Sequence, residues 1–249
     1  MIRGLYASAT GMLALMSKQD VISNNLANVN TTGFKRDYAS ITSFPDTLVY
    51  ASESRVGAQA AQTPVGWLST GVGIGETGFI NTDAPLRHTG SMLDVALSGN
   101  GLFAVKTDAG EKYTRNGSFG IDGLSRLVDQ DGNLVLGEKG TITIHGDETL
   151  IDEMGNIYVD DTFVDKLKIR HFEADELEKV GSNLFGSQTE GKASGARVRQ
   201  KYLEGSNVDV TIEMVDMITT VRSFEANQKI LKSQDEILGR AVNDVGRLA

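Results

Sequence analysis

The stretch VTIEMVDMITTVRSFEANQKILKSQDEILGRAVNDV, residues 210–245, carries two interleaved series with a period of seven residues. A sustained apolar repeat of this period predicts an amphipathic helix whose narrow stripe faces a partner. The stronger series is Val210, Met217, Phe224, Leu231, Leu238 and Val245, and the second is Met214, Val221, Gln228, Asp235 and Val242. No proline interrupts residues 211–247, so one long C-terminal helix is predicted there.

Two polar residues, Gln228 and Asp235, stand in the middle of this apolar seam. A polar residue inside a helix seam lowers stability but can fix the register and the number of partners. Alternatively, both side chains face water at a bend. The sequence leaves these two interpretations open.

The N-terminal end repeats the pattern more weakly. Apolar residues recur at alternating spacings of three and four, and Leu26 extends the series if Gln19 and Ser23 count as polar members. The members of this N-terminal seam are Ile2, Leu5, Ala9, Met12 and Met16. A chain with amphipathic helices at both ends favours pairing of those ends, and such a pair leaves apolar surface for neighbouring copies.

Between the helices the sequence has the pattern that is typical of antiparallel strands. Residues 99–155 contain eleven glycines, and short alternating runs such as LFAVKT, TITIHG and NIYVDD are separated by turn sequences. The predicted fold class is therefore α+β, with terminal helices that pair in a coiled-coil-like domain around a mostly antiparallel β domain. The predicted divisions are residues 1–38 for the first helix and its turn, 39–85 for an extended connection with a strand near 77–80, 86–204 for the β-rich domain and 205–249 for the C-terminal helix.

Composition argues against several classes of function. The 249 residues carry a formal net charge of -9, which disfavours a general nucleic-acid or anionic-membrane binder. The absence of cysteine excludes disulfides and thiolate metal sites, and His88, His145 and His171 lack metal-ligand spacing. No apolar run reaches the length of a signal peptide or a membrane span. We expect no cofactor, no metal and no membrane insertion, and export without a cleaved signal.

Two motifs resemble ligand sites but stand in the wrong context. GIGETG, residues 73–78, has dinucleotide-binding spacing, yet no crossover helix can start in the FINTDAPL that follows. DQDGN, residues 129–133, resembles the first half of a calcium loop but lacks the downstream glutamate. A tight turn is the interpretation that we prefer for DQDGN, and no enzyme activity is predicted.

The stretch SNNLANVNTTGFKRD, residues 23–37, contains four asparagines at the end of the first predicted helix. Asparagine offers donors and acceptors and tolerates left-handed backbone, which suits a helix end that satisfies carbonyls and contacts neighbours. Gly33 then permits a turn that Phe34 can anchor. A local cap without an intermolecular role is the alternative.

Three segments resemble the bacterial flagellar rod and hook family. Residues 23–36 resemble its N-terminal signature, in which an Asn-Leu-Ala-Asn core leads into a Thr-x-Gly-Phe-Lys turn. Residues 202–238 resemble its C-terminal helix, and residues 93–137 resemble the β domain that rod and hook subunits share. Residues 39–85 match least well.

The resemblance implies a structural rod subunit rather than an enzyme. LEKVGSNLF at 177–185 and ARVRQKYLEGSNVDV at 196–210 are most similar to the proximal rod subunit, with the distal rod subunit second and a hook-type subunit last. Members of the family polymerise through their terminal helices into a helical hollow shaft that transmits torque from motor to hook. A soluble binding module or export chaperone that uses the same helices is an alternative of another class.

The resemblance also implies partners, a location and an assembly interface. The partners are further copies and other rod subunits, the hook subunit or further rod subunits above, and the flagellar type III export apparatus, with no nucleic acid. The location is the basal body in the cell envelope or periplasm. The expected interface residues are Leu5, Met12, Met16, Asn24, Asn25, Leu26, Asn28, Gly33, Phe34, Met217, Phe224, Gln228, Leu231 and Leu238.

Overall fold

The computed structural model describes residues 2–52, 62–146, 148–173, 176–181 and 183–246. A helix stands at each end of the described chain, α1 (Ile2–Ala27) and α2 (Val210–Gly246), and the strands lie between them. These strands are β1 (Asp37–Ser43), β2 (Thr47–Ser52), β3 (Gln62–Leu68), β4 (Val72–Phe79), β5 (Leu86–His88), β6 (Val95–Ser98), β7 (Leu102–Thr107), β8 (Gly110–Thr114), β9 (Gly120–Ile121), β10 (Leu127–Val128), β11 (Leu134–Val135), β12 (Thr149–Ile151), β13 (Asn156–Val159), β14 (Thr162–Lys166), β15 (Ile169–His171), β16 (Leu177–Val180), β17 (Leu184–Ser187), β18 (Lys192–Ala193), β19 (Arg197–Gln200) and β20 (Tyr202–Glu204). The predicted α+β class is confirmed.

The chain divides into two compact units. The first, which we call the helical unit, comprises Met1–Asn24, Asp37–Gly78 and Thr211–Ala249. The second, which we call the β unit, comprises Asn25–Arg36 and Phe79–Val210. Each unit is therefore built from segments that are distant in sequence. No helix in the described part of the chain combines the length and the apolarity that a membrane crossing requires.

In the helical unit, the two helices approach each other at two levels. The position of a Cβ on Gly4 would lie 2.6 Å from the side-chain nitrogen of Gln234, and that of a Cβ on Gly11 would lie 3.5 Å from the side-chain nitrogen of Asn227. The residue number falls along α2 as it rises along α1, so the helices run antiparallel at these levels.

Residues 39–85 differ from the sequence-based expectation. We predicted an extended connection with one strand, whereas the described residues of this range form four strands. β1 pairs with β4, and β2 pairs with β3 in antiparallel register with Leu48 opposite Trp67. Three glycines of β4 pack against β1 and its flank, because Gly73 faces the Phe44 ring, Gly75 faces Thr42 and Gly78 faces Tyr38. Close contact of glycine with larger side chains replaces the apolar alternation that normally identifies a strand.

The β unit contains a nine-stranded sheet in the order β16-β17-β8-β7-β11-β10-β9, with β15 joining β7 and β18. Its central hairpin pairs β7 with β8 antiparallel, with Phe103 opposite Thr114. The sheet supports a core of aliphatic and aromatic side chains. Fully enclosed members of this core are Val95, Leu97, Phe103, Val105, Leu127, Val135, Ile142, Ile157 and Leu167.

Aspartates organise the tight turns of the β unit. The Oδ1 of Asp129 accepts hydrogen bonds from the backbone N–H groups of Asp131 and Asn133, at 2.9 and 2.8 Å. Asp152 accepts in the same way from Met154 and Asn156. Such bonds from an aspartate to the following backbone close a turn without a ligand. The interpretation of DQDGN as a tight turn is confirmed.

Candidate assembly site

The asparagine-rich segment after α1 folds into successive turns. The Asn24 amide donates to a carboxylate oxygen of Asp37 at 3.0 Å, within the helical unit. The backbone N–H of Thr31 donates to the Asn28 carbonyl at 3.1 Å, and the Thr31 hydroxyl donates to the Asn28 side chain. Asn25 is buried, whereas Leu26 is half-buried. Asn24 and Asn28 therefore form hydrogen bonds within the single chain.

Gly33 passes through a gap that no other residue fits. Its φ is 70°, in the left-handed region that favours glycine. A Cβ at this position would also lie 2.5 Å from the backbone nitrogen of Asn116. The Gly33 N–H donates to the Glu204 carbonyl at 2.9 Å. Gly33 therefore serves the turn that the sequence predicted, and it brings the segment against β20.

Phe34 anchors the segment inside the β unit. Its ring is fully enclosed, and the Lys179 ammonium lies 4.0 Å from the ring centroid. The Lys179 ammonium also donates to the Lys35 carbonyl at 3.2 Å. A cation over an aromatic face is attracted by the ring quadrupole. Because Phe34 has no surface left, it can support an interface only by holding this segment in place.

A buried ion cluster follows directly. The Lys35 ammonium lies 2.7 Å from one carboxylate oxygen of Glu204, and the Arg115 guanidinium contacts the other oxygen. All three side chains are at most 2% exposed. A third bond to this carboxylate comes from the Ala84 backbone N–H at 3.2 Å. Residues 35, 115 and 204, from three distant segments, thus meet around one buried negative charge.

The cluster has two buried cations and one buried anion. Asp83 supplies a further carboxylate 3.3 Å from Arg115, but its side chain is largely exposed. Burial lowers the pKa of Lys35, and Glu204 partly offsets that effect. An isolated buried charge is costly, so Glu204 is the residue on which both cations depend.

Asn207 completes what we call the clasp, the contacts that hold residues 33–36 to the rest of the β unit. Its side-chain oxygen accepts from the Arg36 N–H at 2.6 Å, and its side-chain nitrogen donates to the Ile80 carbonyl at 2.8 Å. Lys35, Arg115 and Glu204 lie within the family-like segments but are not among the predicted interface residues. The available signal was a charged residue among apolar or glycine-rich neighbours.

The helix residues predicted for the interface occupy different environments. Half-buried members on α1 and α2 are Leu5, Met12, Met217, Phe224, Leu231 and Leu238. Met16 is exposed. Gln228 and Asp235 are exposed as well, which favours the interpretation that they face water. The amides that lie against α1 are those one residue earlier, Asn227 and Gln234.

Both helices also display apolar side chains to the outside of the helical unit. Leu13 of α1 is 64% exposed, and Ile230 and Ile237 of α2 are about half exposed. Further exposed members of these outward apolar faces are Tyr6, Met16, Ile212, Met214, Val215, Ile218 and Val242. Exposed apolar side chains in this number are surface that association with another protein would bury.

The glycines of the motif at residues 73–78, which resembled a nucleotide site, are part of a strand. Gly73, Gly75 and Gly78 lie inside or at the end of β4 and pack on neighbouring side chains, so they do not form a phosphate loop before a helix. Within the described ranges, no cluster of three or more histidine, aspartate or glutamate side chains is arranged for a metal ion.

Three family models match the chain. The model described as "Flagella basal body rod protein" matches residues 5–35, and "Flagellar hook protein FlgE/F/G D1 domain" matches residues 96–162. The model described as "Flagellar basal body rod FlgEFG protein C-terminal" matches residues 199–244. The matched ranges include most of α1, the centre of the β unit and most of α2.

Similar proteins match over almost their whole length. The chain is 36% identical to the flagellar basal-body rod protein FlgG of Bacillus subtilis, with 98% of this chain and 99% of that protein aligned. It is 37% identical to FlgG of Agrobacterium fabrum over 95% of this chain and 97% of that protein. The flagellar hook-basal body complex protein FlhO of Bacillus subtilis is 27% identical over the full length of both. The chain belongs to the family of flagellar basal-body rod proteins and, among the relatives compared, resembles FlgG.

Proposed function

We propose that this protein is a structural subunit of the flagellar basal-body rod. It polymerises through its terminal helices into a helical hollow shaft that carries torque from the motor to the hook. The proposal extends to this chain the role named in its FlgG relatives. No catalytic step is part of this function.

The outward apolar faces of α1 and α2 are the observation that carries the proposal. Burying such side chains against a neighbour releases about 25 cal/mol per Å² of apolar surface. A surface that binds a different surface of the next copy produces an open helical polymer rather than a closed ring. Val65 and Trp67 of β3 are also largely exposed and add apolar surface to the same unit.

Within each subunit, α1 and α2 form a coiled-coil-like pair. Their antiparallel approach at Gly4 and Gly11 supports this arrangement. The half-buried leucines and phenylalanine of α2, such as Phe224 and Leu231, then belong to the pair, while the outward faces meet neighbouring copies. Of the predicted interface residues, buried ones such as Asn25 and Phe34 act by shaping residues 25–36 of the β unit.

The clasp gives this segment its role in a shaft that transmits torque. Force that reaches residues 33–36 passes to the strands of the β unit through Lys35, Glu204 and Asn207. Partners are other rod subunits, a hook or rod subunit above, and the type III export apparatus. The location is the basal body in the cell envelope. Placement at the proximal end of the rod stays a prediction, with the distal end as the alternative.

The test replaces two outward residues of α2, Ile230→Ser together with Ile237→Ser, in cells that carry no other copy. We expect the purified variant to keep the circular dichroism and melting temperature of the wild type, because both side chains are about half exposed. Electron microscopy of basal bodies should show rods that stop early, and the cells should not swim.

The matched control is Lys229→Ser together with Glu236→Ser, one residue earlier at the same spacing and also exposed. This control should assemble normally. Complete flagella in the isoleucine variant would contradict the assembly role of this face. If the variant instead failed to leave the cytoplasm while rods of the remaining subunits formed, a role in export rather than in the shaft would be favoured.

A further inference from the structure

Two glycines of α1 face two amide side chains of α2 with identical spacing. Gly4 and Gly11 are seven residues apart, and so are the residues that they face, Gln234 and Asn227. Gly4 and Gly11 are the glycines of α1, which is otherwise built from residues with side chains. Each amide therefore lies opposite a position of α1 that has no side chain.

At both levels the amide side chain lies close to the glycine that it faces. A Cβ on Gly4 would lie 2.6 Å from the Gln234 nitrogen, closer than a real carbon atom could sit without displacing the side chain. At Gly11 the distance would be 3.5 Å, an ordinary van der Waals contact, so only a side chain longer than alanine would clash. Each amide thus occupies space that a missing side chain leaves open.

The two glycines and Gln234 do not make the helix pair more stable. Glycine in a helix interior disfavours the helix relative to alanine. The Gln234 side-chain oxygen is buried and has no hydrogen-bond partner among the described residues. A buried acceptor without a partner is destabilising. A polar residue inside the seam of a helix pair lowers stability but can specify one register over others.

A shift of α2 by one heptad breaks the match in either direction. In one direction Gln234 moves opposite Gly11 and Asn227 moves opposite Lys18, where no gap exists. In the other direction Asn227 moves opposite Gly4, and Gln234 passes the start of α1. Such a shift moves the backbone by about 10 Å, at a rise of 1.5 Å per residue.

We propose that the contacts Gly4–Gln234 and Gly11–Asn227 fix the register of the two terminal helices, so that every copy presents its outward apolar faces at the same relative levels. The seven-residue repeats of both helices would otherwise be compatible with several registers. This inference concerns the single chain and its tests use the purified monomer. The register can therefore prove wrong while the assembly role is correct, and the assembly role can prove wrong while the register is correct.

The natural chain contains no cysteine, so disulfide formation can report the register directly. Two purified double variants combine Gly11→Cys with Asn227→Cys or with Thr220→Cys, and both keep the Gly4–Gln234 contact. The first pair tests the register of the structure, and the second tests a shift by one heptad. Because a disulfide requires Cα atoms within about 7 Å, we expect the first pair to form at least about ten-fold faster in a dilute glutathione buffer. Equal rates, or a faster shifted pair, would overturn the proposal.

A second set tests whether the contact at Gly4 sets this preference. Gln234→Leu is added to the Asn227 and Thr220 pairs, and we expect the ratio of their rates to fall at least about three-fold, because a leucine fits an apolar seam in several registers. Gln228→Leu is the control, since Gln228 is an exposed amide of the same helix and should leave the ratio unchanged. Gly4→Leu removes the same contact by a change in α1, and it should lower the ratio of the two rates as Gln234→Leu does. Circular dichroism monitors helix content throughout, and an unchanged ratio in both contact variants would overturn the proposal.

Discussion

The carboxylate of Glu204 on β20 lies 2.7 Å from the ammonium of Lys35, although 169 residues separate the two along the chain. This ion pair closes the β unit from both sides, because Lys35 precedes its strands and Glu204 ends the last of them. Both side chains are almost fully enclosed. The β unit is therefore complete only when the segment after α1 has docked.

Loss of the Glu204 charge should destabilise the β unit strongly. Glu204→Gln keeps the shape of the side chain but leaves Lys35 and Arg115 as buried cations without their shared counter-charge. Breaking a buried pair in this way costs about 3–5 kcal/mol. Urea denaturation followed by near-ultraviolet circular dichroism measures the change.

Lys35→Met is the comparison, because it removes one cation and leaves the Arg115–Glu204 pair intact. The apolar stem of Lys35 is replaced by one of similar size, so we expect a loss of about 1 kcal/mol, near the net value of one hydrogen bond. A loss from Lys35→Met as large as that from Glu204→Gln would show that the two cations do not share the carboxylate as described.

Gly33→Ala should be more harmful than the same change at another left-handed glycine. Gly33 and Gly132 both have positive φ, at 70° and 84°. A Cβ at Gly33 would overlap the backbone of Arg115 and Asn116, whereas nothing lies within 4 Å of one at Gly132. Left-handed backbone costs alanine about 1–2 kcal/mol at either site. Melting temperatures of the two variants should differ clearly, and equal shifts would mean that the close approach at Gly33 relaxes.

The turn at Asp152 should make stability depend on pH in acid. Burial raises the pKa of Asp152, but hydrogen bonds from Asn156 and Met154 outweigh burial and hold the pKa below its usual range. An aspartate with a depressed pKa stabilises the fold above its unfolded pKa of about 3.9, and this contribution is lost as the pH falls through the folded pKa. Asp152→Asn should cost about 1–2 kcal/mol at neutral pH and progressively less below about pH 4.

Denaturation at neutral pH and near pH 3 tests this dependence. Asp131→Asn in the related turn at Asp129 is the control, because the Asp131 side chain is exposed. It should change stability little at either pH. A cost of Asp152→Asn that stays constant across this range would show that the carboxylate charge does not support the turn.

The sequence predicted the helices well because their signal is local and repeated. The apolar series placed the second helix from residue 211 to 247, and α2 is described from Val210 to Gly246. Alternating runs and turn sequences likewise predicted an antiparallel β region between the helices. Periodicity reports which face of an element is buried, so it identifies elements without knowledge of their neighbours.

Features that depend on distant neighbours were beyond this reasoning. β4 is rich in glycine, and its packing on Phe44 and Tyr38 leaves no periodic apolar pattern to detect. The Lys35–Glu204 pair has no local signature, because either residue alone is an ordinary surface charge. Gln228 is exposed in the single chain, and the amide that lies against α1 is Asn227, one residue earlier.

The last prediction concerns Leu231 and Leu238, which are half-buried on the same side of α2 as Asn227 and Gln234. Truncating a fully buried leucine costs about 2–5 kcal/mol, and partial burial lowers that figure. Leu231→Ala combined with Leu238→Ala should therefore weaken the helical unit in the single chain. Far-ultraviolet circular dichroism should show helix melting at lower temperature, while near-ultraviolet signals of the β unit persist.

In cells, this leucine variant should be exported but should stop rod assembly, because the same loss recurs in every subunit of a polymer. The outward variant at Ile230 and Ile237 should stop assembly without the loss of helix in the monomer. The two pairs lie one residue apart along α2, so together they separate packing inside a subunit from contact between subunits. Normally rotating flagella in the leucine variant would mean that pairing of the terminal helices is not required for the shaft, and the proposed mechanism of assembly would then have to be abandoned.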